Sequence, residues 1–257
     1  MFSHRPRPTG YLDAVAELTA GSGQPNAPTV GDAFGWAARD PEWIGKVLLM
    51  GLIGLIPIVG SLQQLGWMLT MLDNLRAGRN EVPPAAFRYA TRGVWLWLAS
   101  LIYTVALVAI LYGFILVVAI AAAATAQTGQ HGNQPNPVAF VFVPIFFFWI
   151  AIAAVVSIVL WILVPAIIEF TDRKGLGGAF DIPGIVRVVT GDPQHNLAAA
   201  GLLFVAYIIG GIGTYLCWVG VIFTAPYALT VAAGILRWYE VSVKPEALPP
   251  PSAASAR

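Results

Sequence analysis

Histidine and cysteine are the side chains best suited to metal binding or nucleophilic chemistry, and this sequence has three histidines and one cysteine. His4 lies near the N-terminus, His131 between two apolar runs and His195 in a later loop, so we do not expect them to converge on one metal ion. The single cysteine, Cys217, excludes an intramolecular disulfide and any site with several cysteine ligands. We therefore predict no metal site and no cofactor.

The sequence also lacks the motifs of nucleotide binding and ion-coupled transport. The glycine-rich residues 175–178 follow a basic turn and lack the lysine and hydroxyl residue of a phosphate-binding loop. The long apolar runs contain no ionisable residue, whereas pumps and ion-coupled transporters usually carry one within the membrane. We predict no catalytic residues, and we expect a protein that is not an enzyme.

Uncharged polar residues remain within the apolar runs, and most are expected to form hydrogen bonds between helices. If the helices enclose a polar cavity, its predicted lining is Gln63, Gln64, Tyr227 and Thr230. The prediction follows from two similar segments, "VGSLQQLGWMLT" and "VGVIFTAPYALT", which place these residues at corresponding positions.

The elements that carry these residues have a composition suited to lipid. Of the 257 residues, 58% are hydrophobic and 11% are charged, whereas about 25% of the residues in a soluble domain are charged. Uncharged runs cover residues 94–126, 138–168 and 197–236, and about 20 apolar residues cross a bilayer. Because backbone polar groups find no partners in lipid and the runs lack the alternation of barrel strands, these segments are predicted to be helices.

Lysine and arginine predict the topology, because cytoplasmic loops close to membrane spans are enriched in them. The loop at residues 127–137 has neither and is predicted to be outside; the other four segments between or beside the apolar runs carry all 14. An even number of crossings must then fall within the uncharged residues 50–72. This stretch is predicted to be a hairpin with a turn at residues 57–60, and it either spans the membrane or re-enters on the same side.

The predicted fold is an all-α integral membrane protein with six helices in three hairpins, the first of them short, and with both termini cytoplasmic. The 40-residue run 197–236 would be about 60 Å long as one helix, twice the bilayer core, so it is predicted to break at residues 210–220. The helices are expected at about residues 43–58, 61–77, 94–126, 138–168, 197–213 and 218–238 of a membrane domain at 30–243. The tails at 1–29 and 244–257 are predicted to be disordered.

Two surface features are expected to meet the lipid headgroups. A short interfacial helix before the first hairpin is predicted to lay Phe34 and Trp36 into the headgroup region. The loop after the first hairpin carries four arginines that can contact anionic headgroups, although their effect on topology explains them equally well. These residues are Arg76, Arg79, Arg88 and Arg92.

A series of motifs surrounds the first hairpin: an aspartate-proline-aromatic start, an Ile-Pro turn and a Gly-aromatic second helix. They are formed by Asp40, Pro41, Trp43, Ile56, Pro57, Gly60, Gly66 and Trp67. With "LVPAIIEF" and "GAFDIPGIVRVVTGDP" further on, they resemble the membrane protein family catalogued as domain of unknown function 4013. The loop "NEVPPAAFRYATRG" departs from the acidic, tryptophan-containing stretch usual in that family. The resemblance covers about residues 30 to 240 and implies a six-helix bundle but no activity.

Two classes of function fit these features. The leading prediction is a non-enzymatic protein of the cell membrane that is a scaffold or subunit of a membrane assembly. Its expected partners are the lipid bilayer and a protein partner or a second copy of the chain; the net charge of +1 gives no reason to expect nucleic acid. The alternative is a channel or facilitator for a small neutral or amphipathic solute, which a polar or hydrated groove between the helices would favour. An intramembrane lipid-modifying enzyme is third, because the acid, histidine or metal cluster of such enzymes is missing.

Overall fold

The computed structural model describes residues 29–128, 137–215 and 219–243, and the regular elements in these ranges are all helical. This confirms the predicted all-α class. The helices are α1 (Val30–Gly35), a 3-10 turn (Trp36–Arg39), α2 (Trp43–Gly54), α3 (Val59–Arg76), α4 (Ala90–Thr128), α5 (Pro137–Lys174), α6 (Leu176–Ala179), α7 (Ile182–Gly191), α8 (Pro193–Tyr215) and α9 (Val219–Ser242). The predicted tails fall outside these ranges except for Thr29, which caps α1 with its side-chain oxygen.

Four helices are long and apolar enough to cross a membrane, and they indicate a helical membrane protein. They are Ala90–Ile120 of α4, Pro144–Lys174 of α5, and the whole of α8 and α9. With 12 residues, α2 is about 18 Å long, which is shorter than the hydrocarbon core of about 30 Å. The 18 residues of α3 include polar and charged side chains along its length. Six crossings therefore stay a prediction.

The uncharged residues 50–72 form two helices, as the distribution of positive charge predicts. The turn occupies residues 55–58, slightly before the predicted position. Ile58 has a φ of 64° and a ψ of −59°, and the Val59 N–H donates to the carbonyl oxygen of Pro57 at 2.6 Å. This is a classic γ-turn, which is strained, and its central residue is β-branched, which makes a positive φ still less favourable.

The predicted long hairpins are present with shifted bounds. α4 begins four residues before the predicted start at 94, and α5 continues six residues beyond the predicted end at 168. α8 ends at Tyr215 and α9 begins at Val219, so the boundary between them falls inside the predicted break at 210–220. α7 was not predicted; it lies in the segment that the sequence assigns to a cytoplasmic loop.

The helices approach one another closely where glycines face each other. A Cβ atom at Gly66 of α3 would overlap the carbonyl oxygen of Tyr89, and one at Gly93 of α4 would overlap the carbonyl oxygen of Leu62. In a bilayer, where lipid is as apolar as a leucine side chain, such small residues allow the backbone contact that holds helices together. The crossing of α3 and α4 depends on this pair.

The segment before α2 packs on α9 instead of lying among lipid headgroups. Trp36 is 2% exposed, and its indole N–H donates to the carbonyl oxygen of Thr230 at 2.9 Å. α1 fits here because Gly234 leaves space: a Cβ atom at that position would lie 2.5 Å from the carbonyl oxygen of Ala33. The predicted headgroup position of Trp36 is therefore wrong, and Phe34 is half-buried.

Asp40 ties the loop after α3 to the start of α2. Its carboxylate accepts hydrogen bonds from the backbone N–H groups of Glu42 and Val82, each at 2.9 Å, and from Lys46 Nζ at 2.8 Å. Burial alone would raise the pKa of Asp40, but these three hydrogen bonds lower it below its usual value. The loop is held further by the Trp67 indole N–H, which donates to the carbonyl oxygen of Pro83 at 2.9 Å.

Replacing Ile58 with glycine should stabilise the protein, because glycine adopts a positive φ without strain. We expect a gain of about 1 kcal/mol, or a rise of about 2–4 °C in the thermal unfolding midpoint in detergent. Ile56→Gly is the matched control, since Ile56 lies in the same turn, is also exposed and does not have a positive φ. A midpoint for Ile58→Gly at or below that of Ile56→Gly would contradict the strained turn.

Asp40→Ala should lower the free energy of unfolding at pH 7 by about 1.5–3 kcal/mol, because it removes charge-assisted hydrogen bonds. Since the pKa of Asp40 is lowered in the fold, its contribution is present above the usual pKa of aspartate and is lost as the pH falls through the lowered value. The difference between wild type and variant, measured by denaturant unfolding, should therefore shrink below about pH 4. Glu42→Ala, at an exposed side chain, should stay within about 0.5 kcal/mol at every pH.

Candidate functional site

Eight charged residues from four helices meet at one end of the bundle and form what we call the charge cluster. Four carboxylates are bound to four guanidinium groups within it. Its members are Asp73 and Arg76 of α3, Arg92 of α4, Glu169, Asp172 and Arg173 of α5, and Arg237 and Glu240 of α9.

Arg76 is the centre of the charge cluster. Its Nη1 lies 2.9 Å from Asp73 Oδ1 and 2.7 Å from Asp172 Oδ2. Its Nη2 lies 3.3 Å from Glu169 Oε2 and 2.6 Å from Glu240 Oε1. One guanidinium group thus binds carboxylates from three helices, a geometry that its planar set of five N–H donors allows and a lysine ammonium does not.

Arg173 approaches the same two glutamates as Arg76. Its Nε lies 3.2 Å from Glu169 Oε2 and its Nη2 lies 2.7 Å from Glu240 Oε1. The carboxylates are deeply buried, with side-chain exposures of 0% for Glu169, 1% for Asp172 and 4% for Glu240. Charges buried to this extent are tolerated only when they are paired and hydrogen-bonded. The buried carboxylates therefore depend on the guanidinium groups that pair with them.

The position of each charge along the chain explains how the cluster assembles. Arg76 ends α3, Arg92 lies just before an apolar run, Glu169 just after one, and Arg237 just after another. The contacts bring these helix ends to one side of the bundle, in agreement with the arrangement that the positive charges predict.

The four arginines predicted to contact lipid headgroups separate into two pairs. Arg76 and Arg92 bind the carboxylates of the charge cluster, and their side chains are 22% and 26% exposed. Arg79 and Arg88 are exposed on the loop between α3 and α4. A headgroup contact stays a prediction for all four arginines.

A groove of about 1120 Å³ lies between α3, α4, α5, α8 and α9, directly beside the charge cluster. Ile168 lines the groove, and Glu169, the next residue, belongs to the cluster. The groove wall is mainly apolar and includes side chains such as Met68, Leu96, Val164, Leu203 and Leu229.

Of the four residues predicted to line a cavity, the structure places Gln64 in the groove wall. Gln64 is half-buried, and its amide makes no hydrogen bond among the described residues. Gln63 accepts a hydrogen bond from the Tyr89 N–H at 2.8 Å, and the Tyr227 hydroxyl donates to the Phe34 carbonyl oxygen at 3.3 Å. The Thr230 hydroxyl donates to the Tyr227 carbonyl oxygen at 2.7 Å. Gln63, Tyr227 and Thr230 thus connect other parts of the fold.

Of the remaining candidates for chemistry, His195 lies within the described residues. His195 is paired through its Nδ1 with Asp192 Oδ2 at 2.8 Å, near the start of α8. His4, His131 and Cys217 lie outside the described residues. Within residues 29–128, 137–215 and 219–243, no three histidine, cysteine or acidic side chains are grouped so as to hold a metal ion.

Comparison with known proteins identifies a family but no characterised relative. A family model described as "Protein of unknown function (DUF4013)" matches residues 49–236, which confirms the resemblance carried by the motifs around the first hairpin. No curated protein and no solved structure matches the chain.

Arg76→Gln should destabilise the protein by about 3–5 kcal/mol, because it leaves buried carboxylates without their shared partner. Arg76→Lys keeps the charge but loses the forked geometry, so we expect a smaller loss. The measurement is the fraction of protein that stays monodisperse after heating in detergent. Arg79→Gln is the matched control, at an exposed arginine three residues away, and should stay within about 0.5 kcal/mol. Equal melting of Arg76→Gln and Arg79→Gln would show that the cluster does not hold the fold.

Proposed function

Because the chain belongs to the DUF4013 family, whose description names no activity, we propose a function from its own groove. The protein is a non-enzymatic, multi-pass protein of the cell membrane that holds the apolar chain of an amphipathic molecule between its helices. The observation that carries this proposal is the groove of about 1120 Å³.

The size and the walls of the groove favour an apolar chain. Pockets for drug-sized ligands usually have volumes of about 300–1,000 Å³, so this groove has room for a larger molecule. Four of its five helices are long and apolar enough to cross a membrane, which favours a position beside the hydrocarbon of the bilayer. A polar solute would lose its hydration there without gaining hydrogen bonds. An amphipathic molecule therefore fits better than a small polar one.

Polar side chains interrupt the apolar wall of the groove, among them Gln64, Ser100, Thr104 and Thr214. The half-buried amide of Gln64 makes no hydrogen bond among the described residues, and its Nε2 lies close to Gly54 of α2. A polar group in an apolar wall is stabilised when a ligand supplies the missing partner. The ester or amide next to the apolar chain of an amphipathic molecule is such a partner.

The charge cluster supports a binding role without catalysis. Its carboxylates and guanidinium groups are bound to one another across four helices. Ion pairs of this kind hold the helices together. A general acid or base would need to reach a substrate in the groove instead.

We also propose an orientation for the protein. The charge cluster faces the cytoplasm, as the distribution of lysine and arginine favours. The first hairpin re-enters on that side, which is supported by the 12-residue length of α2.

A scaffold or subunit role is the second candidate, and the exposure of α4 and α5 favours it. In their most apolar stretches, 0% of the residues of α4 and 6% of those of α5 are buried within the chain. These surfaces are open to lipid, to another membrane protein or to a second copy. The mass of the protein extracted in native nanodiscs tests this role: a single chain without a stoichiometric partner would contradict it.

The groove proposal can be tested with phosphatidylcholine that carries a diazirine in its acyl chain. In reconstituted wild-type protein, photolysis should crosslink the probe to groove peptides of α5 and α8. Gly211→Phe should reduce these crosslinks several-fold, because Gly211 lines the groove and a Cβ atom there meets no atom within 4 Å. The new ring can therefore occupy the groove without a clash at its base.

Gly201→Phe is the matched control for this experiment. Gly201 lies on the same helix, is exposed, does not line the groove and also has no atom within 4 Å of a Cβ position. Its crosslinks to groove peptides should equal those of wild type. Equal crosslinking in Gly211→Phe and Gly201→Phe would show that the probe reacts from the general lipid surface, and the proposal would fail.

A further inference from the structure

The connection between α5 and α8 carries apolar side chains that stay largely exposed in the described part of the chain. Phe180 is 42% exposed, Ile182 is 48% exposed and Val186 is 42% exposed. From these we propose that α6 and α7 form an interfacial element, which inserts this apolar surface into the lipid leaflet beside the charge cluster. The proposal does not depend on what the groove binds.

The residues of α7 divide into three sides, since successive residues of a helix turn by about 100°. Ile185 and Val188 are buried against the rest of the protein. Ile182 and Val186 are one turn apart, so they share a second, exposed side. Arg187 is exposed on a third side, and Thr190 lies between the second and third sides, one turn from Val186. A helix with a protein-facing, an apolar exposed and a polar exposed side fits a position at the boundary of lipid and water.

The chain path brings α6 and α7 to the membrane surface. α5 ends at Lys174 and α8 begins at Pro193, and both helices are long and apolar enough to span a membrane. The short connection between two such helices has to lie at the side of the membrane where the first helix leaves and the second enters. That side also holds the charge cluster, because Arg173 belongs to the cluster.

α6 and the residue that follows it are docked on α4, beside apolar side chains of α4 that are exposed. The Tyr103 hydroxyl of α4 donates to the Ala179 carbonyl oxygen at 2.6 Å, and its ring stacks on Phe180 with centroids 5.5 Å apart. Ile102 and Val105, on either side of Tyr103 along α4, are 43% and 56% exposed. Phe180, between α6 and α7, thus adjoins the exposed apolar surface of α4, and the same hydrocarbon can cover both.

The charges around this surface suit the headgroup region. The side chain of Lys174 is 43% exposed and binds Asp181 at 2.7 Å, and Arg187 is exposed on α7. Long basic side chains at such positions keep their apolar stems in lipid and their charged ends in water. The distribution of positive charge predicts a cytoplasmic loop at residues 169–196. Contact with lipid tails would cover the exposed side chains of Ile182 and Val186 in this segment.

Collision rates of a nitroxide label test the proposal. In a Cys217→Ser background, single cysteines replace Val186 or Arg187, and the labelled proteins are reconstituted in phosphatidylcholine liposomes. Oxygen concentrates in hydrocarbon, whereas a neutral nickel chelate stays in water. We expect the ratio of oxygen to nickel collisions at 186 to exceed that at 187 several-fold.

Each other outcome overturns the inference. Equal, nickel-dominated collisions at 186 and 187 would place α7 in water. Equal, oxygen-dominated collisions would place the whole helix inside the hydrocarbon. A label at 186 that neither reagent reaches would show that protein, such as a second copy of the chain, covers this side. Residues 186 and 187 are adjacent and both exposed, so a difference in collision ratio between them does not arise from a change in folding. Size-exclusion elution identical to that of the Cys217→Ser parent checks that the labelled variants are folded.

Discussion

The charge cluster is the interaction on which the arrangement of the other helices depends. It holds carboxylates with side-chain exposures of 0% at Glu169 and 1% at Asp172, and taking such charges out of water is costly unless their partners are fixed. If one helix slid by a turn, Arg76 would separate from one or more of the carboxylates that it binds. α3, α4, α5 and α9 are therefore held in one relative register at this end.

Close backbone contact fixes the distance between α2 and α9 and between α3 and α4. A Cβ atom at Gly51 of α2 would overlap the carbonyl oxygen of Ile222 of α9, as the glycine pair does between α3 and α4. Lipid tails are as apolar as the surfaces of these helices, so the hydrophobic effect does not drive the helices together. Their association has to come from the packing of small residues and from hydrogen bonds. The charge cluster sets the register, and the glycines set how near the helices come. The groove is the space that remains between them.

The sequence predicts those features of the fold that follow from lipid as a solvent. Long uncharged runs give helices, and the positions of lysine and arginine give the hairpin at residues 50–72 and the common side of the helix ends. It does not predict the charge cluster, because Arg76 and Arg92 are read equally well as topology signals. The sequence also has acidic residues next to the same helix ends, such as Glu169 and Glu240. These residues could have indicated the charge cluster. α7 was not predicted because its glycine and proline suggest a loop. The burial of Trp36 was not predicted because its hydrogen-bond partner on α9 is 194 residues away in the sequence.

The walls of the groove are held in place by different kinds of contact. α3, α4, α5 and α9 line the groove and also supply the charge cluster, whereas α8 lines the groove and contributes no residue to the cluster. α8 is attached by neutral hydrogen bonds: Asn196 Nδ2 donates to the Ile162 carbonyl oxygen at 2.8 Å, and the Tyr239 hydroxyl donates to Asn196 Oδ1 at 3.0 Å. Neutral hydrogen bonds contribute about 1 kcal/mol each, whereas breaking a buried ion pair costs about 3–5 kcal/mol. α8 is also held by its packing on α9, where a Cβ atom at Gly213 would lie 2.5 Å from the backbone of Gly220. Close helix contact and neutral hydrogen bonds therefore position this wall of the groove, whereas ion pairs position the other four helices at the cluster end.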